Sequence, residues 1–189
     1  MQSFSLRLGN GLRPKKALSE SALLTRARQG DREAFDALIC LHEQALRYFL
    51  LRQQVGELLE DVLQETLLAA WVALPGFEPR VRFKTWLYRI ARNKAIDAHR
   101  RAPNSVSLEE LSVPGSDQWA TIERALWVRE LLDELPEVQR QILELYYFEE
   151  LTLEETALVL DRNVNTVKYH FYQAHTRALH ALEKEGRPL

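Results

Sequence analysis

Between residues 76 and 101 the chain carries eight basic and two acidic side chains, and among them stand Phe77, Phe83, Trp86 and Tyr88. Cations meet phosphates and flat rings meet unstacked bases, so the mixture suits a single-stranded or melted nucleic acid. It equally suits a solvated basic helix with core aromatics. From Phe83 to Arg101 the apolar residues recur at helical spacing, with Trp86, Ile90, Asn93 or Lys94, and Asp97 on one face and Leu87, Ala91 and Ala95 on the buried side. Arg89, Arg92, Lys94 and Arg100 are then free to reach a phosphate backbone.

A second pattern lies near the C-terminus. Thr152 to Leu160 reads as a helix, Asp161 to Val164 as a tight turn, and Asn165 onward as a second helix. Ala157 is small where two crossing helices must approach, Asp161 tolerates left-handed backbone, and Asn165 is expected to cap the second helix. Val164, Val167 and Phe171 are expected inside. Thr166, Lys168, Tyr169, Tyr172 and Gln173 then face outward, where a helix-turn-helix meets a major groove. An ordinary helical hairpin has the same spacing.

The net charge is -2, but it is unevenly spread. Residues 1–18 carry +4, 19–75 carry -4, 76–101 carry +6, 102–118 carry -3 and 119–189 carry -5. The acidic C-terminal part argues for weak, partner-assisted DNA binding, because affinity for DNA comes largely from cations on phosphates. The longest apolar run, Leu67 to Leu74, is far too short to cross a bilayer. No apolar stretch follows the basic N-terminus, so a secretory signal is not expected and the cytoplasm is the expected location. Cys40 is the sole cysteine, which excludes an internal disulfide or a Cys-rich zinc cage. His170, His175 and His180 fall on different faces of one helix, so no metal is expected; nor is a cofactor. A Walker loop, an HExxH motif and a nucleophile elbow are all missing, and an enzyme is not expected.

These residues need helices to position them. Strand-like alternation is nearly absent, and the spacing predicts helices at about 19–29, 31–53, 57–74, 83–101, 117–134, 136–148, 152–160 and 165–184. Gly30-Asp31 breaks one helix and caps the next; Thr152 and Glu155 have capping-box spacing. Residues 102–118, with Pro103, Pro114 and Gly115, read as a linker. The expected fold class is all-α: a basic arm (1–18), a helical domain (19–101), a flexible acidic linker (102–118) and a second helical domain (119–189) containing the helix-turn-helix.

The order of motifs is distinctive. Asp61-x-x-Gln64-Glu65-Thr66, an aromatic at Trp71, a loop with Phe77, Thr85-Trp-Leu-Tyr-Arg-Ile-Ala-Arg-Asn93, a linker, Leu135-Pro136 and a helix-turn-helix reading Thr166-Val-Lys168 resemble the extracytoplasmic-function group of bacterial sigma factors. The resemblance covers roughly residues 19–184. It implies a chain without catalytic chemistry that binds the RNA polymerase core and directs it to promoter DNA. Asp61, Gln64 and Glu65 match the helix that docks on the polymerase's largest subunit, with Leu63, Leu67 and Trp71 as apolar area or core. Phe77 and Asn93 match a pocket for a flipped base of the minus-ten element, while Arg89, Arg92 and Lys94 suit phosphates of the opened non-template strand. Trp86 and Tyr88 are assigned mainly to core packing. The minus-thirty-five element falls to Asn165, Thr166, Lys168, Tyr169, Tyr172 and Gln173. Here the chain departs from the family, whose usual Ser-Arg is replaced by Tyr169-His170. The linker acids Glu109, Glu110 and Asp117 suit a cationic polymerase interior, and relatives are commonly held by an anti-sigma factor. The rival reading is a free-standing helix-turn-helix regulator.

Overall fold

Helix starts in this chain are written locally. Ser19 accepts a hydrogen bond from the Ala22 amide and opens α1 (Glu20–Arg28); Gly30, at φ +90°, turns the chain so that Asp31 can accept from the Ala34 amide and open α2 (Arg32–Cys40). The structure, a computed structural model, describes residues 19–101, 132 and 134–184. The expectations for the arm at 1–18 and the linker at 102–118 fall outside these residues, as does nearly all of the helix expected at 117–134.

The single helix expected over 31–53 is two. α2 ends at Cys40 and α3 (Glu43–Arg52) begins after a turn at Leu41-His42. Neither Gly nor Pro marks the break. Packing makes it, because α2 lies along α1 while α3 must turn to reach α4 (Leu59–Ala73) and α5 (Phe83–Arg101). The core of these five helices holds Leu38, Leu46, Phe49, Leu50, Val62, Ala70, Leu87 and Ala91, with Tyr88 stacked on Phe49 at 4.6 Å. Burying such side chains contributes about 1.5–3 kcal/mol each for the larger ones.

The C-terminal part is a three-helix unit among the described residues: α6 (Glu137–Tyr147), α7 (Leu153–Leu160) and α8 (Val164–Lys184). The capping box at Thr152 and Glu155 is formed, and Asp161 stands in left-handed backbone at φ 52°, ψ 49°. The cap of α8 differs from expectation. The helix begins at Val164, and Asn163, not Asn165, supplies the cap: its Oδ1 accepts from the Asn165 amide at 2.8 Å. Val167 and Phe171 are buried and Val164 packs against the same core, so the inward face is as expected. No helix among the described residues is long and apolar enough to cross a membrane. The two helical units meet where α7 lies against α5.

Candidate nucleic-acid interface

The buried edge of α5 is Leu87, Ala91, Ala95 and Ala98, and its three alanines suit the close packing of α5 with its neighbours. That edge leaves Arg89, Asn93 and Arg100 exposed, with Arg92 and Lys94 half-buried. The aromatics go the other way. Phe77 is only 2% exposed, with its ring 5.1 Å from Trp86 and 6.1 Å from Phe83. The turn Leu74–Gly76 delivers Phe77 into this cluster, so the expected contact between Phe77 and a flipped base is not available in this arrangement. Phe83 and Tyr88 are buried and Trp86 packs against the core, as expected for the last two. What the basic window offers outward is therefore mainly cations and an amide, with Trp86 only half-buried.

Most of those cations already have partners. Arg82 donates to Glu155 through Nε and Nη2, and to the Glu150 carbonyl at 3.1 Å. Thr85 donates its hydroxyl to the same Glu155 carboxylate at 2.9 Å. Arg89 stands 3.8 Å from Asp161. Burial pushes the Glu155 carboxyl up, but bonds from Arg82, the Thr152 amide and Thr85 outweigh it and hold the group at about 2. Glu149, 3% exposed, is enclosed more fully: it accepts from Arg52, from Tyr88 Oη at 2.5 Å, and lies 3.1 Å from Lys84 Nζ. Burial, then the Glu149 charge, pushes the Tyr88 phenol well above its ordinary range. A buried carboxylate is tolerated only with donors of this number and quality. Arg92 lacks one: its Nε is buried without a hydrogen-bond partner, and burial and the neighbouring Arg162 both lower its pKa.

On α4, Asp61 and Gln64 are exposed, whereas half-buried Glu65 accepts from Arg101 at 2.9 and 3.1 Å and lies 3.8 Å from Lys94. Leu63 is core, and Leu67 and Trp71 pack on it. Sequence reasoning missed Leu68 and Val72, 62% and 72% exposed, which continue the Asp61–Gln64 stripe at helical spacing. The signal was present: Leu63, Leu67, Ala70 and Leu74 already fill the core face, leaving Leu68 and Val72 out of phase with it.

On α8, Asn165, Thr166, Tyr169 and Tyr172 are exposed, and Lys168 and Gln173 half-buried. Lys168 Nζ sits 2.8 Å from Glu154, so its charge is partly spent within the fold. Gln173 donates to Tyr169 Oη at 2.7 Å and accepts from Gln139 at 3.2 Å. The face thus presents hydroxyls, an amide and rings rather than free cations.

Residues 38–104 match the sigma-70 region 2 family and residues 125–177 match sigma-70 region 4. The chain is 29% identical to the ECF RNA polymerase sigma-E factor of Salmonella typhimurium, over 91% of this chain and 96% of that protein. The chain belongs to the extracytoplasmic-function group of the sigma-70 family. Among solved structures, the sigma factor resembles CnrH in complex with the cytosolic domain of CnrY, at 27% identity and TM-score 0.62 over 86% of this chain and 96% of that one. It shares its fold with the sigma factor RpoE bound to the anti-sigma factor NepR from Bartonella quintana, at 24% identity and TM-score 0.61 over 79% and 96%. The region 2 match takes in α3, α4 and α5, and the region 4 match takes in α6, α7 and α8 as far as Arg177. The basic face and the helix-turn-helix of this sigma factor therefore both lie inside matched segments.

Proposed function

We propose that this sigma factor divides promoter work among three helices. Asp61, Gln64, Leu68 and Val72 on α4 form the face that meets core polymerase, a polar-rimmed apolar stripe of the kind that interfaces favour. Glu65 adds charge there when Arg101 releases it. Asn93 on α5 reads an extruded base of the minus-ten element through its amide, and Arg89, Arg92 and Lys94 hold the phosphates of the opened strand. Asn165, Thr166, Lys168, Tyr169 and Tyr172 on α8 face the major groove of the minus-thirty-five element, with Gln173 behind them.

The observation that carries this reading is the pairing of a basic, amide-bearing helix with a helix-turn-helix in matched segments of one chain. Residues 19–101 and 119–189 act as the two promoter-handling domains, with the acidic stretch 102–118 between them inside the polymerase and the basic arm 1–18 on the DNA backbone. The work is binding, not bond-making, and takes place in the cytoplasm with the polymerase. A partner that covers these faces when the factor is idle, an anti-sigma factor, is supported by the likeness to CnrH in its complex. Run-off transcription tests the whole: purified chain added to core polymerase gives transcripts from defined starts. Duplex binding without any specific transcript would instead make the chain a free-standing regulator.

A further inference from the structure

Behind the exposed surface of α8 runs a hydrogen-bonded chain of four side chains. Arg177 donates from Nη1 to Gln139 Oε1 at 2.8 Å; Gln139 donates from Nε2 to Gln173 Oε1 at 3.2 Å; Gln173 donates from Nε2 to Tyr169 Oη at 2.7 Å. Gln139, on α6, is 3% exposed, and Tyr169, at the far end, is 60% exposed. Either amide alone could be turned end for end. Together they cannot, because a guanidinium only donates. Arg177 requires an oxygen from Gln139, which leaves Gln139 an amino group for Gln173, which leaves Gln173 an amino group for Tyr169. The phenol oxygen therefore accepts from within, and its one proton is turned outward.

We propose that Tyr169 reads the minus-thirty-five element as a hydrogen-bond donor, and that Gln173, Gln139 and Arg177 are positioning residues that fix this polarity. The proposal rests on the reading of α8 as the minus-thirty-five helix. Guanine O6 and N7 and thymine O4 accept in the major groove, whereas cytosine offers an amino donor there. At the base facing Tyr169 the protein prefers guanine or thymine over cytosine. Lys168, held by Glu154, is poorly placed to supply the same donor.

The test uses holoenzyme assembled from core and full-length chain, with promoters carrying each of the four bases at every minus-thirty-five position. Tyr169→Phe, a change at an exposed hydroxyl, flattens the preference at one position by about three- to tenfold, the worth of one hydrogen bond, and leaves the others ranked as before. Gln139→Leu flattens the same position, and the double variant loses no more than either single one. Arg177→Glu goes further. Its carboxylate accepts from Gln139, both amides reverse, Tyr169 donates inward, and the preference at that position moves toward cytosine, the base that offers only a donor there. The added negative charge weakens all promoters together, so only the ranking is read. An unchanged ranking in Tyr169→Phe, while other minus-thirty-five substitutions still matter, overturns the proposal and spares the reading of α8. Wild-type indifference to every minus-thirty-five substitution overturns both.

Discussion

The two faces proposed to handle DNA in this sigma factor are built on opposite electrostatic principles. α5 lies in a stretch of charge +6, whereas α8 belongs to one of charge -5 and offers mostly neutral hydroxyls and rings. The contact between the helical units accounts for the contrast. Glu149, Glu155 and Asp161, acids that weaken the second unit's attraction for DNA, lie beside Lys84, Arg82 and Arg89 of the first. Acidity in one region is complementarity to the other. In the docked arrangement Asp161 lies 3.8 Å from Arg89, and α7 lies against α5.

The comparison is broken most forcefully at its buried centre. Glu149→Ala leaves Arg52 and Lys84 half-buried without their carboxylate, and the docked arrangement loses about 3–5 kcal/mol. Energy transfer between labels on α4 and α6 then falls and the radius of gyration grows; an unchanged distance would mean that the acids of the second unit do not hold the first. Next in size is the contrast within α5. Asn93→Ala changes preference at one minus-ten position by about 1–3 kcal/mol, whereas Arg92→Ala weakens all promoters alike and lowers the salt slope by about one. Ranking of single-base promoter variants separates the two, and identical profiles would remove the base-reading role of Asn93.

Acid sharpens the comparison further. The Glu155 carboxyl is held at about 2 against an ordinary 4.5, so its contribution to docking is complete above 4.5 and is lost as pH falls from 4.5 toward 2. Glu155→Gln removes that part of the acid dependence and raises affinity for a minus-ten single strand at neutral pH, measured by fluorescence anisotropy. Equal acid profiles in the two proteins would count against the Arg82–Glu155 contact. The smallest effect belongs to Lys168. Its pair with Glu154 is exposed and contributes little, so Lys168→Ala lowers the salt slope of promoter binding by less than Arg92→Ala does. A larger drop for Lys168 would place the phosphate grip on α8 rather than α5.

Features encoded within one or two helical turns were readable in advance. The capping box at Thr152, the left-handed Asp161, the Asp31 cap and the core edge Leu87-Ala91-Ala95 all follow from neighbours in sequence. The break at Leu41-His42 was not, since no residue there disfavours a helix and only the course of α3 toward α4 and α5 imposes it. The burial of Phe77 was not readable for a similar reason. An aromatic in a loop can face solvent or a core, and the cluster of Phe83 and Trp86 decides between them. Leu68 and Val72 were readable from phase alone, once the core face of α4 was counted.

The sequence by itself determined most of the helices, the caps at Asp31 and Thr152, the basic window and the order of motifs that places the chain in its family, because each depends on residues a few positions apart. Only the tertiary structure decided which charges meet: Glu149 lies 97 residues from Arg52 and 61 from Tyr88, and Glu155 lies 73 from Arg82. Spacing along the chain carries no information about such pairs. Burial selects them, since a carboxylate leaves water only where donors from another helix are already waiting.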